Sequence, residues 1–340
     1  MLYFKLHACC IAVNGFSRST ICDIQRDKIF FIPNILYDIL IEHKNKAVEE
    51  IIEFYGDEHS EDITEYFEYL IENELGFYSS LNEIKQFPNI ETQLNDSKQI
   101  KTSIIDINKS SKLFNVKIMV SQLSDLGCEA VEIRFFSNID FSELKKIFDY
   151  FENTTIRSLE ILVPFNNDFS IFSKEEWIKF RLAYARLKKV TIYNSPEEIF
   201  YENHEFSIFY TKQHILSEMD CGKICQENFN CKTEFYVESK NKNNCLNKKI
   251  SLDTNGKIKN CPSMNFDYGN IENTKLNDII NDFNFKKYWN ITKDHIETCK
   301  ICEFRYVCMD CRAFVKNPND IFSKPLKCNY NPYENNWFTN

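Results

Sequence analysis

The stretch Ser103-Ile-Ile-Asp-Ile107, with its successors Ala130-Val-Glu-Ile-Arg-Phe-Phe136, Ser158-Leu-Glu-Ile-Leu-Val163 and Lys189-Val-Thr-Ile-Tyr193, decides the fold class. Each is a short apolar run rich in β-branched residues, and the starts recur every 27 to 31 residues. Helical patterning fills the gaps at Leu113–Leu126, Phe141–Phe151 and Lys174–Leu187. This is the period of βα units that build a parallel sheet or barrel. Four units are half of an eight-fold barrel, so an open or shortened (β/α) barrel is expected over 89–215.

Working outward, 340 residues are enough for two or three domains. The 7 glycines include no near neighbours, which excludes a glycine-rich phosphate loop or a Rossmann dinucleotide site. With 41 basic against 50 acidic residues, the net charge of −9 argues against nucleic acid and against anionic membranes as partners. No apolar run approaches the roughly 18 residues of a membrane-spanning helix. Lys5 and His7 interrupt the opening apolar stretch, so it does not read as a signal peptide, and the cytoplasm is the expected compartment.

Before the barrel, Thr20–Ile24 and Lys28–Ile32 read as a hairpin around a Gln25-Arg26-Asp27 tip, and Pro33 ends it. Asn34 is expected to cap a helix; a second runs from about Ala47 to Phe54, and a third follows Asp62 with an acidic outer face. A hairpin with three short helices makes 1–88 winged-helix-like. The acidic third helix suits peptide better than DNA. Phe87 to Lys101 reads as a linker. After Tyr210 the patterning dissolves, with a helix expected at Thr274–Tyr288 and few helical stretches besides.

That last region, 216–340, is dominated by cysteine: 10 of the 14 lie between Cys221 and Cys328. Without an export signal, clustered thiols read as metal ligands rather than disulfides. Two spacings stand out, Cys245-x10-Gly256-x4-Cys261 and Cys299-x2-Cys302-x5-Cys308-x2-Cys311-x16-Cys328. Asn255-Gly256 reads as a hairpin turn that brings Cys245 and Cys261 to one end. The spacings alone admit either iron–sulfur centres or tetrahedral zinc. Isolated Cys9, Cys10, Cys22 and Cys128 read as small core residues.

The cysteine pattern resembles the SPASM domain, the C-terminal iron–sulfur domain of radical SAM peptide-modifying enzymes. Seven positions match in order, although Cys308 and Cys311 are separated by two residues where that family has three. The resemblance implies one [4Fe-4S] cluster on Cys299, Cys302, Cys308 and Cys328. A second would rest on Cys245, Cys261, Cys311 and an upstream thiol, with Cys221, Cys225 and Cys231 as candidates and Cys221 favoured. Arg305 and Arg312 would either donate to cluster sulfides or form ordinary salt bridges.

The CxxxCxxC loop of a SAM-cleaving cluster is missing: Asn108 to Asn115, after the first barrel strand, holds no cysteine. Reductive cleavage of S-adenosylmethionine is therefore not expected. The whole chain resembles the SPASM domain peptide maturases of grasp-with-spasm systems. The segments that carry this are Ser17–Ile21, Phe31–Asn34, Leu126–Ala130, Ile133–Phe136, Asn260–Met264, Cys302–Tyr306, Asp310–Phe314 and Lys324–Pro332. It implies maturation of a ribosomally made peptide beside an ATP-grasp ligase, with the N-terminal element recognising the leader by strand addition near Ser19–Ile24. A non-catalytic adaptor stapled by iron–sulfur or zinc sites is the alternative, and no catalytic residue is assigned.

Overall fold

A computed structural model of the protein describes residues 2–93, 97–165 and 173–338. The chain packs into two compact units, each discontinuous in sequence. One contains Met1–Asn95, Gly222–Asn244 and Asn290–Asn340; the other contains Asp96–Cys221 and Cys245–Trp289. The segment 216–340 is thus shared by both units, and 1–88 belongs wholly to the first.

The first unit opens with β1 (Tyr3–Leu6), β2 (Cys10–Val13), β3 (Ser19–Asp23) and β4 (Lys28–Ile32). Helices α1 (Asn34–Glu42), α2 (Val48–Tyr55) and α3 (Ser60–Glu72), strand β5 (Gly76–Ser79) and α4 (Leu81–Ile84) follow. The hairpin β3–β4 forms as expected, but β3 is also paired with β2 (Ile11 opposite Cys22). All five of its residues are buried. Alternation explains this: Ile21 packs into a cluster with Leu36, Ile39, Ile63, Phe67 and Leu70, whereas Cys22 and Ile24 pack with Tyr236, Phe304 and Val307. The expected edge at Ser19–Ile24 is therefore no edge, since a strand paired on both sides has no ladder groups left to offer. Asn34 does not cap α1 either. Its amide donates to the Phe16 carbonyl at 2.9 Å and accepts from Ser19 Oγ at 2.7 Å, leaving Pro33 in the cap position.

The second unit is built on β6 (Thr102–Ile107), α5 (Leu113–Asp125), β7 (Ala130–Phe135), α6 (Phe141–Asp149), β8 (Ser158–Pro164), α7 (Lys174–Ala183) and β9 (Leu187–Tyr193), all near their expected bounds. To these the structure adds β10 (Ile199–Glu202) and β11 (Ser207–Tyr210). After α8 (Thr233–Asn241) of the first unit come β12 (Lys249–Leu252) and β13 (Ile258–Lys259). The eight strands form one mostly parallel sheet in the order β10-β11-β9-β8-β7-β6-β12-β13. Its outer strands each pair with a single neighbour, so among the described residues the sheet is open.

Side chains alternate across this sheet. Ile105, Ile107, Ile133, Phe135, Ile161, Val163, Val190 and Ile192 share one face and are all buried. The opposite face carries Asp106, Glu132, Arg134, Glu160 and Lys189, with Lys249 contributed by β12. The chain closes with α9 (Leu276–Ile279) and α10 (Phe283–Lys286) in the second unit, and β14 (Tyr330–Asn331) and β15 (Asn336–Trp337) in the first. The single helix expected at Thr274–Tyr288 is broken because Asp282 starts α10 by accepting the Asn284 amide at 2.8 Å. The linker segment carries no element beyond α4, and its residues 94–96 lie outside the described residues.

Candidate metal centres

In the first unit the Cys299–Cys302 turn is closed by Cys302 N donating to Cys299 O at 2.9 Å, and Cys308 N donates to Phe304 O at 3.0 Å. Two buried or part-buried asparagines after α8 fix the next residues. Asn244 donates to Cys308 O at 2.9 Å and accepts from Asp310 N at 2.8 Å, and Asn243 donates to Asp310 Oδ2 at 2.7 Å. The Lys293 ammonium, on a residue only 4% exposed, reaches Cys308 Sγ at 3.0 Å and Met309 O at 2.9 Å.

Cys299, Cys302 and Cys308 share a buried environment in which each thiol is shifted upward. Burial pushes Cys299 up to about 12, with Lys293 opposing and Asp310, Cys308 and Cys328 adding to the rise. Burial, then Glu303, Cys308 and Cys299, hold Cys302 well above the ordinary thiol range. Cys308 is raised by burial, against the pull of Lys293. Burial alone would lower the Lys293 pKa, but Cys308, Cys299 and Asp310 outweigh it and the net shift is upward. Asp310 is itself ion-paired with Arg312 at 2.6 Å. Lys293 therefore brings a positive charge against the sulfur of Cys308, shared with Asp310, and thiols lose their protons when a thiophilic metal binds.

The second unit holds a smaller group. The β12–β13 hairpin, with Ser251 opposite Lys259, carries Cys245 before it and Cys261 just after it. Ser263 Oγ donates to Glu218 O at 2.8 Å, which ties the Cys261 loop to the segment leading into Cys221, the exposed member. Lys249 Nζ lies 3.6 Å from Cys245 Sγ. Burial pushes Cys261 up to about 12, with Cys245 and Cys221 adding and Lys249 opposing. For Lys249, Cys245, Cys261, Glu132 and Cys221 overcome a downward effect of burial. Beside this group, Arg134 and Asp106 form a bidentate pair at 2.7 and 2.8 Å. Burial pushes the Asp106 carboxyl up to about 6 even against that partner.

Of the eight thiols expected as ligands, the structure thus gathers Cys299, Cys302, Cys308 and Cys328 in one unit and Cys221, Cys245 and Cys261 in the other. Cys311 belongs to the first unit, where a Cβ built on Gly222 would stand 3.2 Å from its Sγ. The other two candidates are engaged elsewhere. Cys231 is buried with its thiol on Cys22 and on Lys28 O at 3.4 Å. Cys225 is shifted upward by burial and by a hydrogen bond to Glu227.

Arg305 and Arg312 resolve to salt bridges. Arg305 pairs with Asp294 at 3.1 Å, while Arg312 holds Asp310 and donates to Ser323 O at 2.8 Å. Lys293 and Lys249 reach sulfur, and the Asn243–Asn244 brace holds the backbone and carboxylate beside Cys308; the spacing pattern marks none of these. Phe304 packs on Tyr330, Tyr306 on Tyr236 and Trp337 on Tyr330.

Among the described residues, the one set of three donor atoms within 4.8 Å of one another is Cys9, Cys10 and Asp23. Asp23 there is already occupied: its carboxylate accepts from Gln25 N and Arg26 N at 3.1 and 3.0 Å and pairs with the Arg26 guanidinium, closing the β3–β4 turn. The two thiol groups described above are more open than this. A single zinc with bonds of about 2.3 Å draws its sulfurs to about 3.8 Å apart, whereas a four-iron cluster sits between wider-spaced thiolates. The donor set, all thiol and braced by a lysine in each unit, fits the anionic iron–sulfur–thiolate group.

The chain matches no protein-family model and no curated protein.

Proposed function

We propose that this protein binds two iron–sulfur centres and takes part in the maturation of a ribosomally synthesised peptide, alongside an ATP-grasp ligase. In this reading the first unit combines a winged-helix-like leader-recognition element with the distal SPASM cysteines, and the open sheet of the second unit is a partial radical-SAM-like barrel. The observation that carries it is the gathering of Cys299, Cys302, Cys308 and Cys328 in the first unit, with the buried Lys293 ammonium 3.0 Å from Cys308 Sγ. Cys221, Cys245 and Cys261 of the second unit are proposed for the second centre.

When bound, such a centre supplies one-electron chemistry and holds its loops together. The chain's own residues orient and screen it. Asn243 and Asn244 fix the Cys308–Asp310 turn, Lys293 and Lys249 offset thiolate charge, and Phe304 with Tyr330 excludes water from the sulfurs. The β6–α5 connection, Asn108 to Lys112, holds no thiol. This favours a division of labour in which bond formation belongs to the ligase.

The test is to mix anaerobically purified protein with precursor peptide and ligase and follow peptide mass. A mass change that requires this protein and a reductant supports a chemical role. Binding of the precursor leader with no such change supports the adaptor form, and absence of both removes the peptide reading.

A further inference from the structure

Each thiol group has one lysine against a sulfur, and the two lysines differ. Lys293 is buried, with Nζ 3.0 Å from Cys308 Sγ; Lys249 is part-buried, with Nζ 3.6 Å from Cys245 Sγ. Asp310, which also acts on Lys293, is paired with Arg312 at 2.6 Å and with the Asn243 amide at 2.7 Å, and the sulfur of Cys308 is the group that Lys293 Nζ contacts. Lys249 shares its charge with Glu132 as well as the thiols. We infer that Lys293 and Lys249 set the reduction potentials of the two centres and put them in order, the centre beside Lys293 being the easier to reduce. This rests on the iron–sulfur reading above.

The physical reason is charge. Reduction adds one electron, supplied by a low-potential one-electron donor, and one negative charge to the centre. No proton is transferred, because the lysine stays an ammonium throughout. A cation donating to a ligand sulfur stabilises the more negative state, and Coulomb energy grows as distance shortens and water is excluded. Both differences favour Lys293 over Lys249. Neither lysine is a cysteine neighbour that the family pattern names, and neither would ligate the metal; each acts through a sulfur and is a positioning residue.

The test compares full-length wild type with Lys293→Met, Lys293→Gln and Lys249→Met, all purified without oxygen. Iron and sulfide are counted first. Dithionite titration with redox mediators is then followed by EPR. With iron content unchanged, Lys293→Met lowers the midpoint of the higher-potential centre by at least a tenfold shift in the reduced-to-oxidised ratio, about 59 mV for one electron. Lys249→Met lowers the other midpoint by less, and Lys293→Gln, which keeps an N–H but no charge, falls between wild type and Lys293→Met. Full iron with unmoved midpoints overturns the inference, as does one midpoint responding to both lysines. If Lys293→Met loses iron, Lys293→Gln decides: a wild-type midpoint or a second loss of iron makes the lysine structural only. Wild type without iron removes the cluster reading itself, and the inference with it.

Discussion

Replacing Asp106 by asparagine should destabilise the second unit far more than a surface charge change would. Asp106 and Arg134 face each other across β6 and β7, with two hydrogen bonds of 2.7 and 2.8 Å. Their side chains are 1% and 4% exposed. Because both charges have left water, the Asp106→Asn variant strands a guanidinium without its bidentate partner, a situation that costs about 3–5 kcal/mol. For a cooperative unit of roughly 150–250 residues, each kcal/mol lowers Tm by about 2–4 °C, so the expected drop is about 6–20 °C. Urea unfolding followed by far-ultraviolet circular dichroism gives the free energy, and calorimetry gives Tm. The double variant Asp106→Leu, Arg134→Met should recover most of the loss, since apolar residues of similar volume replace buried ion pairs at little cost. A loss below about 1 kcal/mol for Asp106→Asn, or a double variant as unstable as the sum of the singles, would refute the reasoning.

Three further outcomes follow from particular residues. Cys308→Ser and Cys261→Ser should each remove about four iron per chain, whereas Cys225→Ser should leave the iron count unchanged, as measured by metal analysis and EPR. His43 is buried against Phe54 and Tyr55, and burial, then Lys46, lowers its pKa in the folded state, so the unfolded chain binds the proton more readily. Stability from this site is therefore complete above the unfolded value near 6.5 and is lost as pH falls through it, and His43→Leu should flatten that part of the urea-midpoint profile. Gly222→Ala should destabilise by about 1–2 kcal/mol from its left-handed φ alone. The added methyl at 3.2 Å from Cys311 Sγ makes the loss greater than at Gly127, where φ is also positive but no atom lies within 4 Å. Thermal melts of both alanine variants test this.

The βα units could be read from sequence because each strand is a short segment rich in β-branched residues recurring at a regular period, with helical patterning between. Strands β1, β2 and β5 could not, since they are only four residues long, with Lys5 inside β1 and Gly76 opening β5. Missing β2 turned β3 into an apparent edge. The placement of β12 beside β6 was hidden for another reason: Lys249 and Thr102 pair across about half the chain, and no local pattern encodes such a contact. The thiols themselves were legible as candidate ligands because their close spacing along the chain is of the kind that a metal-binding turn uses. Lys293 and Lys249 were not, because an ammonium on a flexible stem can reach a sulfur from many sequence positions. The arginines beside the cysteines drew attention by proximity in sequence, yet their planar guanidiniums found carboxylates, for which their geometry is better suited.

The central claim is that these two thiol groups hold iron–sulfur centres. The most direct measurement is iron, zinc and acid-labile sulfide content of protein purified without oxygen, read beside its visible absorption and low-temperature EPR. About eight iron and eight sulfide per chain, with signals of two four-iron clusters on reduction, is the predicted result. About two zinc with no sulfide would contradict it.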